Sequence, residues 1–208
     1  MKTTSIRNAV LSDLPYLYEI CLRTGADGSD ARAEFSDPWL LGQYYAAPYL
    51  VYNARFCFVV ENNHVPAGYL VGTDNTTQFN QWFEKIWLPP LRSRYPEEAG
   101  RDTKTTSARE KSMITQLHRP VFTPVPDTSP WIVDYPAHFH INLLPEVQRQ
   151  GFGTELIAEF IRQLHSDECP GTHLGVSARN AGAIAFYRKV GFTVLSEDRH
   201  GKIMGKRC

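Results

Sequence analysis

The chain lacks an excess of charge of either sign, because 22 lysines and arginines balance 22 aspartates and glutamates among its 208 residues. Without a basic field, the sequence does not predict a nucleic-acid partner, since nucleic acids attract proteins largely through their phosphates. The chain also lacks an apolar run of the length that spans a bilayer, so no membrane partner is expected. Its length and ordinary hydrophobic content instead predict one globular domain with a full core.

Cysteines are few and scattered, and none belongs to a C-x-x-C pair. The four are Cys21, Cys57, Cys169 and Cys208. This spacing fits neither a zinc site nor a dense disulfide framework, so we expect reduced thiols. The seven histidines show neither H-x-x-x-H nor H-E-x-x-H spacing, so no metal is expected. Reduced thiols predict a cytoplasmic protein, and no apolar stretch of a secretory signal is visible in the first six residues.

The most informative stretch, residues 141–164, reads as a strand, a polar turn and a helix. The turn carries Gly151 and Gly153, and the helix after it has one apolar stripe formed by Leu156, Ile157, Phe160, Ile161 and Leu164. The first N–H groups of a helix have no partner within it, and the helix dipole adds partial positive charge. Such an end binds anions, and glycines let a phosphate approach the main chain. Because Arg149 adds a cation, the turn is predicted to hold a diphosphate.

The turn itself reads Gln148-Arg149-Gln150-Gly151-Phe152-Gly153. A dinucleotide fingerprint would need a third glycine at position 156, where the chain has Leu156. Two glycines before a helix also occur in loops that bind no ligand. The six residues resemble the Q/R-x-x-G-x-G/A signature of the GNAT superfamily of acetyltransferases, which implies that the diphosphate of acetyl-CoA lies on this turn. The contacts would come from Gln148, Arg149, Gln150, Gly151, Phe152, Gly153 and Thr154.

A second pattern follows one helix and one strand later, as it does in that family. Its residues resemble the N-x-x-A-x-x-F/Y-Y-x-x-x-G-F signature and are Asn180, Ala183, Phe186, Tyr187, Gly191 and Phe192. The resemblance implies the GNAT fold, a mixed α+β fold whose twisted, mostly antiparallel sheet of about seven strands is flanked by helices. It also implies cofactor contacts from Asn180, Ala183, Phe186, Tyr187 and Lys189. A plain helix N-cap is the alternative for Asn180, and a solvated side chain is the alternative for Lys189.

Residues 76–130 are predicted to form a large helical insertion between the third and fourth strands. An aromatic stripe predicts a helix that packs into the core and ends at Pro89-Pro90; the stripe comprises Phe79, Trp82, Phe83, Ile86 and Trp87. A polar helix is predicted over residues 107–117. Extended chain is then predicted from Pro120, Pro124, Pro126 and Pro130. No charge shift or flexible linker sets the insertion apart, so residues 1–208 are predicted to form a single domain.

The hairpin of residues 55–73, the insertion and the central strand of residues 131–144 together resemble the acetyltransferase-like region of O-GlcNAcase and its stand-alone relatives. Some versions of that region have lost the glycine turn. This chain keeps Gly151, Gly153 and Tyr187, so the resemblance implies a protein that binds acetyl-CoA. It also implies that a loop over residues 26–37 lies beside the acceptor site.

Acetyl transfer from a thioester to an amine needs a base, donors for the developing oxyanion and an acid for the leaving thiolate. Tyr187 is the predicted acid, because the pKa values of a thiol (~8.5) and a phenol (~10) are close; a core tyrosine is the alternative. The candidate bases are Asp134, His138 and His140. The two histidines share one face of the central strand, and structural roles are the alternative. The resemblance implies a bulge in this strand that aims the N–H groups of Leu143 and Leu144 at the acetyl carbonyl and pantetheine.

These features predict an N-acetyltransferase that moves the acetyl group of acetyl-CoA directly to a primary amine in a ternary complex. No cysteine lies in either motif, which disfavours a covalent acyl-enzyme. The acceptor is a small amine, an amino sugar or a protein lysine. Two alternatives stay open: a non-catalytic module that binds acetyl-CoA or a protein, and a structural domain without a cofactor, which the intact glycine turn disfavours. The sequence does not indicate an oligomeric state.

Overall fold

The computed structural model describes residues 4–97, 107–120 and 129–208 of the chain. The strands are β1 Thr4–Asn8, β2 Cys57–Asn62, β3 Val65–Thr73, β4 Ala137–Leu143, β5 Gly171–Ser177, β6 Thr193–Glu197 and β7 Gly201–Arg207. They form one seven-stranded sheet in the order β1-β2-β3-β4-β5-β7-β6. Neighbouring strands are antiparallel except β4 and β5, which are parallel. The predicted mostly antiparallel sheet of about seven strands is therefore confirmed.

Helices lie on both faces of the sheet. In the described residues they are α1 Leu14–Arg23, α2 Leu40–Tyr45, α3 Ala47–Tyr52, α4 Thr76–Trp82, α5 Leu88–Arg94, α6 Ala108–His118, α7 Phe152–Ser166 and α8 Ala181–Lys189. Phe160 of α7 packs against Phe139 of β4, with ring centroids 5.3 Å apart. Tyr49 of α3 instead contacts His138 and His140. Because successive strand residues point to opposite faces, α3 and α7 lie on opposite sides of β4. No helix in the described ranges is both long and apolar enough to cross a membrane.

The β2–β3 hairpin shows how local sequence sets these elements. Both strands are rich in β-branched and aromatic residues, which favour extended chain. The turn between them places Asn63 and His64 at φ values of 51° and 65°. Asparagine tolerates this left-handed conformation better than most residues, and the predicted turn lies at that position.

Strands β4 and β5 pair only at their beginnings and then separate. The parallel pairing involves Ala137 and His138 of β4 and does not continue beyond them. Strand β4 meanwhile stays paired with β3 as far as Leu143. The separation leaves an opening in the middle of the sheet, at the carboxyl ends of the two parallel strands. We call this gap the β4–β5 opening.

The bulge expected in the central strand is not found. Each residue of β4 from His138 to Leu143 faces one residue of β3, without a shift of register. The central strand also begins at Ala137 rather than near residue 131, because residues 130–134 form turns. The expectation of a bulge is therefore wrong for this strand. The divergence of β5 alone frees the edge of β4.

The aromatic helix of the insertion does not end at Pro89-Pro90. Helix α4 continues into a π-helical turn, Phe83–Trp87, and α5 then begins at Leu88 with the prolines in its first turn. Proline is tolerated there because the first N–H groups of a helix need no partner within it. The predicted stop is thus a helix start.

The polar helix of the insertion is confirmed as α6. The side chain of Ser107 caps it by accepting a hydrogen bond from the N–H of Glu110. The extended chain predicted at Pro124 and Pro126 lies outside the described residues.

The insertion packs into the same buried cluster as the sheet. Its buried apolar side chains are Phe79, Phe83, Leu88, Leu91, Met113, Ile114 and Leu117. The aromatic stripe is therefore core at Phe79 and Phe83, whereas Ile86 is 62% exposed. The insertion and the sheet therefore share one core, and a single domain over residues 1–208 stays a prediction.

Candidate functional site

The glycine turn joins the end of β4 to α7 through two left-handed residues. Arg149 has a φ of 59° and Gly151, the N-cap of α7, has a φ of 95°. The side-chain amide of Gln148 donates to the carbonyl of Leu143 at 2.7 Å, and that of Gln150 donates to the carbonyl of Glu146 at 2.8 Å. Both glutamine side chains therefore hold the turn itself.

The turn presents a run of free backbone donors. None of the N–H groups of residues 149–153 has an acceptor in the part of the chain that the structure describes, and the first paired amide is that of Thr154, 2.9 Å from the carbonyl of Gly151. These donors stand at the positive end of a 15-residue helix. Such an arrangement favours a bound anion.

Gly153 joins the two sequence motifs. A Cβ atom at this buried position would lie 3.1 Å from the ring of Phe186 and 3.6 Å from the side chain of Leu143. The first glycine of the turn is different, because Gly151 is exposed and only Glu155 lies near its Cβ position, at 3.7 Å. Gly151 thus serves the backbone conformation, and Gly153 serves the packing of α7 on α8.

A cavity of about 200 Å³ occupies the β4–β5 opening. Its lining includes Asn142 of β4, Ser177 of β5, and Ala183 and Tyr187 of α8. The N–H of Leu144 points away from it and donates to the carbonyl of Ala67 at 2.9 Å. The predicted contact from the Leu144 amide is therefore wrong.

Alternation along β4 identifies the donors that do face the opening. Successive N–H groups of a strand point to alternate sides. Because the N–H of Leu144 points toward β3, the N–H groups of Leu143 and Ile141 point the other way, toward β5. The carbonyl of Leu143 is consistent with this, since it accepts from Gln148 rather than from β3. Ile141 and Leu143 thus supply main-chain donors where β5 has diverged.

Tyr187 reaches the opening with an unused hydroxyl. Its ring packs against Phe186 and Phe192, at centroid distances of 5.4 Å and 5.8 Å. No hydrogen-bond partner of its hydroxyl is found among the described residues. Burial raises the pKa of Tyr187 well above the ordinary value of a phenol, so the hydroxyl keeps its proton at neutral pH.

The other predicted residues of the second motif have separate positions. The side chain of Asn180 accepts from the N–H of Ala183 at 3.0 Å, which is the N-cap alternative, and its amide donates to the carbonyl of Asp27 at 3.3 Å. Phe186 packs on Gly153. Lys189 is exposed at the far end of α8.

The two candidate histidines meet at one tyrosine on the α3 face of the sheet. The hydroxyl of Tyr49 lies 2.7 Å from Nε2 of His138 and 3.1 Å from Nε2 of His140. Asp134 does not join them, because it is exposed and forms an ion pair with Arg207 at 2.9 Å. It precedes β4, whereas the opening lies toward the end of that strand, so the structure gives it no position from which to act as the base.

All three histidines of this face are neutral at neutral pH. Burial, with the nearby His173, lowers the pKa of His140 to about 4. Burial also lowers the pKa of His173 to about 4 and that of His138 well below its ordinary value. Within the described ranges, no group of three histidine, cysteine, aspartate or glutamate side chains has the arrangement of a metal site.

Two further cavities, of about 420 Å³ and 250 Å³, lie on the same face and share His140, Tyr45, Gln116 and Gly175. The larger one is walled by α6 of the insertion and by the loop after α1, through Thr24, Gly25, Asp27 and Gly28. The smaller one is aromatic, with Tyr44, Tyr49, Phe79 and Phe83 in its lining. We call the two together the acceptor cleft, because the loop that the resemblance sets beside the acceptor site walls the larger one.

Helix α6 fastens the loop beside this cleft. The buried carboxylate of Glu110 accepts hydrogen bonds from the backbone N–H groups of Ser36 and Asp37 and from the hydroxyl of Ser36 at 2.7 Å. Arg109 donates to the carbonyl of Gly25 at 2.7 Å. The loop of residues 26–37 therefore lies beside this cleft, and its position beside an acceptor site stays a prediction.

Sequence reasoning did not identify Tyr49, Thr76, Arg109 or Gln116 as site residues. Tyr49 belongs to an aromatic run in α2 and α3 that carries no motif, and it lies 89 residues before His138. The cluster of Tyr44, Tyr45 and Tyr49 along two short helices was the available signal.

Comparison with known proteins agrees with this geometry. The family model described as acetyltransferase (GNAT) family matches residues 129–192, which include β4, the glycine turn, α7, β5 and α8. Protein O-GlcNAcase of Rattus norvegicus is 24% identical over 190 residues, which cover 91% of this chain. The chain spans only 20% of the length of that relative.

Solved structures extend the likeness to the whole chain. The crystal structure of a protein called SsHAT is 30% identical, covers 99% of this chain and 98% of its own, and has a TM-score of 0.86. The PaiA N-acetyltransferase from Thermoplasma acidophilum, solved in complex with coenzyme A, is 15% identical, covers 99% of both chains and has a TM-score of 0.55. On the strength of the fold, the family match and these likenesses, the chain belongs to the GNAT family of acetyltransferases.

Proposed function

We propose that this acetyltransferase moves the acetyl group of acetyl-CoA to a primary amine by direct attack in a ternary complex. The observation that supports it most is the β4–β5 opening. The free amides of residues 149–153 stand at one end of it, and Tyr187 and His140 line its cavity. Amides that can bind a diphosphate, main-chain donors for the acetyl carbonyl, and side chains that can transfer protons thus lie along one gap.

The residues present fit acetyl-CoA. The diphosphate would be held by the amides of the glycine turn, with Arg149 as a nearby cation. The N–H groups of Ile141 and Leu143 would bind the pantetheine arm and the acetyl carbonyl. When bound, acetyl-CoA supplies an acetyl thioester whose thiolate is a good leaving group.

Tyr187 is the proposed acid for that thiolate, since it keeps its proton and its hydroxyl has no other partner in the described part of the chain. Direct transfer is supported by the chemical state of Cys21, the cysteine that lines the acceptor cleft. Burial raises the pKa of Cys21 to about 12, so this thiol stays protonated and is a poor nucleophile. A covalent acyl-enzyme on Cys21 is therefore disfavoured.

The acceptor enters from the face of Tyr45, His140 and Gln116, opposite to α7. Three probes cover the classes that the sequence left open: 2-phenylethylamine as a small amine, glucosamine as an amino sugar, and a lysine-containing peptide. We also propose a cytoplasmic location, which is supported by the four free cysteines.

Two measurements test the proposal. A thermal shift with acetyl-CoA should show stabilisation that rises with ligand, by about 2.7 kcal/mol at a hundred times the Kd. Release of free thiol with each of the three amines should then show turnover. Binding without turnover would favour the non-catalytic acetyl-CoA module. Absence of binding would contradict the proposed function altogether.

A further inference from the structure

A chain of hydrogen bonds runs across the acceptor face and ends at His140. The hydroxyl of Thr76 lies 2.6 Å from the carbonyl of Pro136 and 2.7 Å from Nδ1 of His138. Nε2 of His138 lies 2.7 Å from the hydroxyl of Tyr49, which in turn lies 3.1 Å from Nε2 of His140. Every contact is short enough to be a hydrogen bond.

The first half of the chain allows only one direction. A carbonyl oxygen cannot donate, so the single hydroxyl proton of Thr76 points to Pro136. Thr76 can then only accept from His138, and Nδ1 of that histidine carries its proton. Because burial keeps His138 neutral, its Nε2 is bare and accepts.

The second half follows from the first. The hydroxyl of Tyr49 must donate to the bare Nε2 of His138, and burial holds the pKa of Tyr49 far above neutrality, so the proton is present. With that proton used, Tyr49 can only accept from Nε2 of His140. A neutral His140 with its proton on Nε2 has a bare Nδ1.

We propose that Thr76, His138 and Tyr49 fix His140 in the Nε2–H tautomer, and that its bare Nδ1 is the base that takes the proton of the acceptor amine. The proposal rests on the proposed function and specifies its base. His140 lines the opening and both cavities of the acceptor cleft. No described group bonds its Nδ1, whereas both ring nitrogens of His138 are engaged.

The step balances with the residues already placed. As the amine nitrogen forms its bond to the acetyl carbon, its N–H becomes acidic and the proton passes to Nδ1 of His140. The carbon–sulfur bond breaks, and the thiolate takes the proton of the Tyr187 hydroxyl. His140 then loses its proton to solvent and Tyr187 regains one. Tyr49, His138 and Thr76 touch no reacting atom and are positioning residues.

The tautomer is measured without any substrate. In protein labelled with ¹⁵N at histidine, the protonated and bare ring nitrogens give widely separated ¹⁵N shifts, and the His140 signals are assigned by their loss in His140→Gln. We expect the proton of His140 on Nε2 and that of His138 on Nδ1. A proton on Nδ1 of His140, in the intact protein at neutral pH, would overturn the proposal.

Tyr49→Phe removes the link and keeps the ring that stacks on Phe79 at 4.3 Å. We expect His140 to lose its single tautomer in this variant, whereas Thr76 still holds the proton of His138 on Nδ1. The matched control is Tyr45→Phe, because Tyr45 contacts the His140 ring at 5.4 Å but its hydroxyl bonds Gln116. The control should leave the His140 tautomer unchanged. An equal change in both variants would contradict the proposed chain of hydrogen bonds through Tyr49.

Catalysis supplies the second arm, with acetyl-CoA and the three named amines. His140→Gln keeps a side-chain donor near the Nε2 position and removes the base, so kcat should fall about 10²-fold or more. The thermal shift with acetyl-CoA should not change. A His140→Gln variant with normal kcat would overturn the base role. Failure of the wild-type protein to bind acetyl-CoA would instead reject the proposed function, while the tautomer spectra would still decide the chain of hydrogen bonds.

Discussion

In the proposed reaction, two single residues on either side of the β4–β5 opening carry the proton transfers. Tyr187 lies on α8 with a protonated hydroxyl, and His140 lies on β4 as a neutral imidazole. Each is held in its protonation state by burial, because a low-dielectric surrounding disfavours the charged form of either group. At neutral pH Tyr187 therefore holds a proton and His140 has a bare ring nitrogen, which are the starting states that an acid and a base need.

The acid role predicts a specific defect in Tyr187→Phe. Phenylalanine keeps the ring contacts with Phe186 and Phe192 but has no proton to give. Turnover of acetyl-CoA with the amine probes should fall by roughly 10²-fold, while the thermal shift with acetyl-CoA stays the same. Tyr52→Phe is the control, since Tyr52 packs on Phe79 and Trp82. Normal turnover in Tyr187→Phe would mean that the thiolate is protonated by another group.

At this scale the sequence predicted types of residue better than their bonds. Alternation along a strand placed His138 and His140 on one face, and the structure confirms it. It does not reveal that Tyr49 bridges them, because that contact joins positions 89 and 91 residues apart. The prediction for the N–H of Leu144 was wrong for a related reason. Its direction depends on pairing with Ala67, which lies in a strand far away in the sequence.

At the scale of elements, the glycine turn and α7 form the proposed anion-binding unit. Gly151→Ala should weaken it, because a φ of 95° is strained for any residue with a Cβ and the turn must shift. We expect a loss of about 1 kcal/mol of folding stability and a higher Kd for acetyl-CoA.

Gly182→Ala is the matched control for that substitution. Gly182 lies in α8, and the nearest atom to an added Cβ is 3.9 Å away, an ordinary contact. Its stability should stay equal or rise by up to about 1 kcal/mol, because alanine is the better helix former. Isothermal titration with acetyl-CoA and urea unfolding report both effects. Equal Kd values for the two variants would contradict the role of the turn.

Helix α6 is the element that connects the insertion to the acceptor cleft. Glu110→Gln replaces a buried carboxylate that accepts from Ser36 and Asp37 with a side chain that has one acceptor oxygen. Stability should fall by about 1–3 kcal/mol in urea unfolding, and the KM of the amine should change more than that of acetyl-CoA.

Glu159→Gln is the comparison for this carboxylate. Glu159 pairs with Arg162 on the partly exposed surface of α7, where a salt bridge contributes about 1 kcal/mol or less. It should leave stability and both KM values nearly unchanged. An effect of the same size as that of Glu110→Gln would show that α6 does not fasten the loop.

Elements with strong local signals were predictable. The apolar stripe and glycines gave α7, and Ser107 with its polar helix gave α6. The π-helical turn was not, because Pro89 and Pro90 read as a stop unless the preceding register is known. The start of β4 was also placed too early, since the turns at residues 130–134 depend on tertiary packing.

For the whole molecule, one buried and two partly buried neutral histidines predict a loss of stability in mild acid. The folded pKa values of His140 and His173 are about 4, and that of His138 is also lowered, whereas an unfolded histidine titrates near ~6.5. The unfolded state therefore binds more protons below that pH. Stability is full above ~6.5 and falls toward pH 4, by on the order of 1 kcal/mol or more per histidine at pH 5.

Urea unfolding at pH 7 and pH 5 measures this difference. His173→Asn keeps a donor near the carbonyl of Tyr135, which Nδ1 of His173 contacts at 2.7 Å, and it removes one titrating group. Its stability should depend less on pH than that of the wild-type protein. The exposed His64 provides the control, because His64→Gln should leave the pH dependence unchanged. An identical pH dependence in His173→Asn would show that His173 is not the cause.

The overall architecture was within reach of the sequence, because two motifs in a fixed order indicate one fold. The candidate site was only partly predictable from the sequence. Elements α1, α2, α3, α4, α6, β4, β5 and α8 contribute to it, and only the last three carry a motif or lie beside one. Contacts between distant elements, such as Glu110 with Ser36, become visible only when the chain is folded.

The most direct measurement is a crystal structure of the protein with acetyl-CoA bound. We expect the diphosphate on the backbone amides of residues 149–153 and the thioester in the β4–β5 opening, with Tyr187 near the sulfur and Nδ1 of His140 facing the acetyl carbon. A complex in which the diphosphate lies elsewhere, or in which β4 and β5 close together and exclude the thioester, would contradict this arrangement.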